Sequence, residues 1–239
     1  MRRVLPDDNK VEPEDGSMLA YDQLVIATGT VPRPNQSPGM TGPGWRKTIH
    51  DFYTFDGAVA LRSALDSFTC GHLVVHVCEM PIKCPVAPLE FAFLADDYFR
   101  QKGIRDEVKI TYVTPISGAF TKPVAAEHLG HMLAKRRIEL ESDFYVESMA
   151  PDAMVSFDER QIDFDLLVTV PVNMGAPFVG ESGLGDELDF VKVDSGNFLA
   201  DGRDNIFAIG DAAAIPTSKA GSVAHFPDLE GGFSRSLRS

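Results

Sequence analysis

Cysteine is scarce in this chain: Cys70, Cys78 and Cys84 are the only three in 239 residues, an odd number with no C-x-x-C spacing. That disfavours a disulfide framework and a zinc site built on paired thiols, and it leaves single-cysteine chemistry. Basic residues are few as well, 22 Lys and Arg against 35 Asp and Glu, for a formal net charge of −13. Phosphate-backbone binding relies on clustered cations that release counterions, so nucleic acid is not an expected partner. Long apolar runs are missing too. No eighteen apolar residues stand together, and the opening MRRVLPDDNKVEPEDG has two arginines but no apolar centre. Neither a membrane span nor a signal peptide is expected, and the chain reads as cytoplasmic.

Glycine is absent where a nucleotide would need it. Residues 72–115, HLVVHVCEMPIKCPVAPLEFAFLADDYFRQKGIRDEVKITYVTP, have the outline of a βαβ unit: an apolar run over 73–77, a helix-like stretch over 88–102 and a second strand over 109–114. The first βα turn of a dinucleotide-binding unit carries G-x-G-x-x-G, so that the pyrophosphate can rest on the helix N-terminus. Here the turn holds Cys78, Pro81, Cys84, Pro85 and Pro88 instead. Cys84 stands where a phosphate would sit. A thiol just ahead of a helix N-terminus meets a partial positive charge that favours the thiolate. With Pro88 as the first helical residue, Glu90 falls in the first turn, where it either handles protons near the thiol or complements the helix dipole. Lys83 beside Cys84 is more commonly a solvated lysine than an activator. Cys78, inside an apolar strand, reads as a small core residue, and Cys70 beside Gly71 as a loop thiol.

At 239 residues, 44% of them hydrophobic, the chain can bury one large core or two modest ones. The breaker-rich 31–44, VPRPNQSPGMTGPG, marks a crossing between domains. Ahead of it, 10–13 and 18–19 flank Glu14-Asp15-Gly16 as a hairpin, and DQLVIA (22–27) reads as a buried strand. Helices are predicted over 55–68 and 124–137, the latter ending in the cationic Lys135-Arg136-Arg137. Strands are predicted around 138–140, 145–149, 154–157, 165–170 and 205–209. His128 and His131 share a helix face but have no acidic ligand pattern beside them, so no metal site is predicted.

Two strands end alike, at Ala27-Thr28-Gly29 and at Ile209-Gly210-Asp211. Glycine after a buried strand lets backbone approach a flat ligand, and the Asp can accept from a sugar or ribityl hydroxyl. Either pattern alone is more often a plain turn.

Taken together, YDQLVIATGTVPRPN (21–35), MPIKCPVAPLEFAF (80–93), VKITYVTP (108–115) and NIFAIGDAAAIPTSKAGSVAHF (205–226) resemble the glutathione-reductase-like flavoproteins with two dinucleotide-binding domains, and more closely the sulfide:quinone oxidoreductases. P-x-K-C-P-x-A-P-x-E is the narrow part of that likeness. The resemblance implies an α/β fold of two Rossmann-like domains, the first incomplete. Residues 1–44 and 173–226 would form the FAD-binding domain, 45–172 the second domain, and 227–239 an unstructured tail. It implies FAD as cofactor, sulfide and a quinone as partners, Cys84 and Glu90 as catalytic residues, and Ala27, Thr28, Gly29, Pro85, Gly210, Asp211 and Lys219 beside the cofactor. It further implies His225 as a quinone contact and peripheral contact with a membrane. Two departures stand out: no glycine fingerprint lies upstream of Tyr21, and WRKTIHDFYTF lacks a cysteine that the family places there. Both suggest a truncated product of a longer enzyme. An NADH-dependent flavin dehydrogenase and a remnant that binds no FAD are the alternatives.

Overall fold

The computed structural model describes residues 1–221. Along the chain come β1 (Arg3–Leu5), β2 (Lys10–Glu12), β3 (Leu19–Ala20), β4 (Leu24–Ile26) and β5 (Val31–Pro32). Then follow β6 (Ile49–His50), α1 (Phe55–Ser67), β7 (Gly71–Val77), α2 (Ala87–Gln101), β8 (Val108–Val113) and α3 (Pro123–Lys135). The strands β9 (Ile138–Glu141), β10 (Val146–Met149), β11 (Ala153–Ser156), β12 (Gln161–Asp163) and β13 (Leu166–Val170) come next. The described chain closes with β14 (Asn173–Met174), α4 (Pro177–Glu181) and β15 (Ile206–Ala208). These elements fall into two compact units. One contains Pro32–Met80 and Val86–Val172; the other contains Met1–Val31, Pro81–Pro85 and the described chain from Asn173 to Gly221. The predicted tail at 227–239, and His225 with it, lies outside the described residues.

The first of these units is built on a five-stranded parallel sheet in the order β6-β13-β7-β8-β9. Parallel neighbours need long crossovers, and α2 supplies one between β7 and β8 while α3 supplies another between β8 and β9. Every residue of β13 is buried, as is β7 from Leu73 on, which is why LVVHV and LLVTV read as continuous apolar runs rather than alternating ones. α1 starts where Thr54 accepts from the Gly57 amide, and the Asp51 carboxylate in turn holds the Thr54 amide and hydroxyl. Asp96 of α2 is fully buried and takes ion pairs from Arg100, Arg105 and Arg136. Burial pushes its carboxyl pKa up, but the three guanidinium hydrogen bonds outweigh that and hold it below the usual range. Arg105 also donates to the carbonyls of Val108, Arg136 and Arg137, so the end of α3 is capped by this arginine as well as by its own cations. A separate antiparallel sheet, β10-β11-β12, completes the unit.

In the other unit β1, β2 and β3 form an antiparallel sheet, and the predicted hairpin pairs Lys10 with Ala20 and Val11 with Leu19. β4 and β15 pair in parallel, with Leu24 opposite Ile206 and Ala208 opposite Ile26. Val4, Ile26, Val179, Val191, Ile206 and Ala213 are among the residues that close its core. Gly175 lets two segments meet: a Cβ there would lie 1.9 Å from the Asp189 carbonyl oxygen. β12 and α4 have no counterpart in the sequence pattern, since three and five residues are too few for a period to register.

Candidate active site

The site is built within the unit that contains Pro81–Pro85. β4 and β15 are parallel, so their carboxyl ends lie side by side, and the Ile209 amide donates to the Ile26 carbonyl at 3.0 Å, one step past the strand pairs. The chain then turns away through Gly29 at φ +68° and Gly210 at φ +63°, a backbone region that glycine enters without strain. Nothing lies within 4 Å of where a Gly29 Cβ would stand. Ala27 and Thr28 are exposed, and Asp211 follows in a single 3-10 turn, Gly210–Ala212. Ligands of open parallel α/β sheets bind at such carboxyl ends.

The turn that carries Cys84 is fastened to the same unit from two directions. The Cys84 amide donates to the Lys219 carbonyl at 2.7 Å, and the Lys83 amide to Asn173 Oδ1 at 3.2 Å. Cys84 itself is exposed and sits at φ +49°. Lys219 is buried, and its ammonium donates to the carbonyls of Asp211, at 2.9 Å, and Ala213, at 3.1 Å, while lying 3.8 Å from the centre of the Phe190 ring. Burial lowers its pKa, opposed by the charges of Asp211 and Asp186. One residue therefore links the cysteine turn, through its backbone, to the Gly210-Asp211 turn, through its side chain.

Pro88 is the second helical residue of α2 rather than the first, because Ala87 opens the helix after a Val86 N-cap. The missing proline N–H costs nothing at either place, since the first turn leaves its amides without helical partners. Glu90 remains in the first turn and is exposed. Cys78 is buried, and burial pushes its thiol up to about 11, which makes it a core residue rather than a nucleophile. Cys70 is exposed, as are His128 and His131. Among the described residues there is no cluster of three His, Cys, Asp or Glu that could hold a metal ion. None of the described helices is long and apolar enough to cross a membrane. Asn173 and Thr30 escaped the sequence reading. Asn173 stands there only as the first residue of the 173–226 segment, and nothing local shows that its amide oxygen meets residues 30 and 83.

No family model matches the chain. Curated relatives do. The mitochondrial sulfide:quinone oxidoreductase of Dictyostelium discoideum is 26% identical over 91% of this chain and 50% of the relative. That of Mus musculus is 24% identical over 91% and 50%, and the sulfide-quinone reductase of Aquifex aeolicus is 25% identical over 88% and 50%. The chain is sulfide:quinone oxidoreductase-like. It spans about half the length of the curated relatives it matches. Among solved structures, the sulfide:quinone oxidoreductase of Aquifex aeolicus superposes with a TM-score of 0.76 at 21% identity, covering 96% of this chain and 60% of that one. Putidaredoxin reductase, in its covalent complex with putidaredoxin, gives a TM-score of 0.63 at 20% identity over 88% and 48%. The fold is α/β and Rossmann-like, as the family resemblance implies.

Proposed function

We propose that this chain carries the sulfur-handling part of an FAD-dependent oxidoreductase that oxidises sulfide and passes the electrons to a quinone. The observation that carries the reading is the Lys219 link, which ties the exposed Cys84 turn to the Gly210-Asp211 turn within one unit. In this reading Cys84 would hold the substrate sulfur as a persulfide; joining the two sulfurs releases two protons and two electrons, the electrons being the pair that the flavin would accept when bound. Glu90, six residues on in the chain, would take up or return a proton. Ala27, Thr28, Gly29, Pro85, Gly210, Asp211 and Lys219 line the cofactor side.

The residues present fit one end of the cofactor. Bare backbone at Gly29 and Gly210, on adjacent strand ends, suits a flat ring, and the Asp211 carboxylate suits a ribityl hydroxyl. For the pyrophosphate end the chain has no glycine fingerprint. When bound, the flavin supplies the two-electron chemistry, and the protein's part is to position and shield. The turn itself disfavours a nicotinamide donor. Pro81, Pro85 and Pro88 have no N–H, and the amides of Lys83 and Cys84 are already directed at Asn173 and Lys219, so a phosphate would find few donors there. Use of a quinone places the work at a membrane surface, with peripheral contact.

The test is spectroscopic. After reconstitution with FAD, absorbance at about 450 nm is followed without oxygen as sulfide or NADH is added. Sulfide is expected to bleach it and NADH to leave it, and Cys84→Ser should abolish the response to sulfide while FAD stays bound. A chain that retains no flavin, or one bleached by NADH and not by sulfide, overturns the reading.

A further inference from the structure

We infer that Asn173 is a positioning residue for the Cys84 thiol, an inference that deepens the proposed function and rests on it only for what the thiol does. Asn173 is 1% exposed. Its Oδ1 accepts from the Lys83 amide at 3.2 Å and from the Thr30 hydroxyl at 3.4 Å. One side-chain oxygen thus joins the residue after Gly29, the residue before Cys84 and the start of the return segment. The following amide, that of Cys84, is drawn to a different acceptor, the Lys219 carbonyl. Two consecutive amides pulled towards two separate segments fix the peptide planes on both sides of Lys83.

Cys84 then enters at φ +49°, a region that a residue with a Cβ occupies only where its surroundings dictate it. The direction of the Cα–Cβ bond follows from that backbone, and the thiol is left exposed ahead of α2. Lys219 meets the turn through its backbone, in a parallel bridge with Lys83, while its ammonium is directed at the carbonyls of Asp211 and Ala213. The Asn173 side chain holds the turn directly. Without that acceptor the turn relaxes towards negative φ and the thiol loses its fixed, exposed place.

The experiment needs neither flavin nor sulfide, so its failure is distinct from failure of the proposed function. Alkylation of the full chain by iodoacetamide is read at Cys84 and at Cys70 in the same sample by peptide mass spectrometry. Hydrogen exchange is read at residues 83 and 84 and across β15. Asn173→Ala is expected to slow Cys84 by about three- to tenfold, the range of one net hydrogen bond, with Cys70 unchanged. It should also strip protection from the amides of residues 83 and 84 while β15 keeps its own. Asn173→Asp keeps an acceptor oxygen in place and should restore both that protection and the Cys84 rate, to within about twofold of wild type. An unchanged or faster Cys84 in Asn173→Ala, or equal loss of protection in β15, overturns the inference. Should Asn173→Ala not fold, Asn173→Asp decides alone: protection lost at residues 83 and 84, or Cys84 slowed by about threefold or more, overturns it equally.

Discussion

In the unit with the five-stranded sheet, β7 runs between two parallel neighbours, paired from Leu73 to Val77 with β13 and from Gly71 to His76 with β8. In the unit that contains Cys84, β4 and β15 share only three residue pairs, and the cysteine turn is held by hydrogen bonds from its backbone amides to Asn173 and Lys219. The sheet is made of repeated, interchangeable bonds between neighbours, so its order survives the loss of any one. The cysteine turn depends on particular atoms drawn from residues far apart in sequence. The proposed site rests on few contacts, whereas the buried sheet rests on many.

Substitutions can break that comparison or sharpen it. The largest effect is expected from Asp96→Ala, because it removes the one carboxylate facing three guanidiniums, of which Arg105 is itself buried. Leaving a buried charge without its partner costs about 3–5 kcal/mol. Denaturant unfolding followed by Trp45, the chain's one tryptophan and part of the same unit, measures this. A loss below about 1 kcal/mol would show that the sheet alone carries the unit.

Next comes Gly175→Ala in the other unit, whose Cβ would meet the Asp189 carbonyl oxygen at 1.9 Å. Overpacking of this kind costs about 1–3 kcal/mol and should appear as faster hydrogen exchange in β15. If the Trp45 transition falls by the same amount, the two units melt as one and the contrast between them loses its basis.

Per pH unit, the smallest effect is a pH dependence in the five-stranded unit. His76 is fully buried, its Nδ1 lies 3.0 Å from the Thr169 hydroxyl, and its Nε2 has no partner. Burial lowers its pKa from the ordinary 6.5 to about 3. Below pH 6.5 the unfolded chain therefore binds a proton that the folded one refuses. Stability falls by about 1.4 kcal/mol for each pH unit descended towards the folded value. His76→Phe should remove one proton's share of that acid slope in urea unfolding between pH 6 and pH 4, roughly the middle of the window. An unaltered slope would assign the acid sensitivity elsewhere, to His50 or His72, which burial also lowers.

The two units also differ in how far their sequence could be read. β7 and β13 are buried runs bounded by turns, and α1 and α2 carry enough turns for a period to emerge, so all four stand within two residues of their predicted ends. The hairpin at Gly16 was visible because a turn needs its glycine. Of the site, the cysteine turn and both strand ends could be read, since each is a contiguous motif. What joins them could not. The Asn173 oxygen reaches residues 30 and 83, separated from it by 143 and 90 positions, and no local pattern encodes such a meeting. Lys219 was legible as a residue, but not that its ammonium turns inward to the carbonyls of Asp211 and Ala213.

The left-handed backbone of Cys84 carries a consequence for how this turn persists. At φ +49° glycine is the residue that fits with least strain, and one base change converts a cysteine codon into a glycine codon. A neighbouring genotype therefore relaxes the loop and contains no sulfur there. Selection for folding alone would drift towards it; only a use for the thiol opposes that drift.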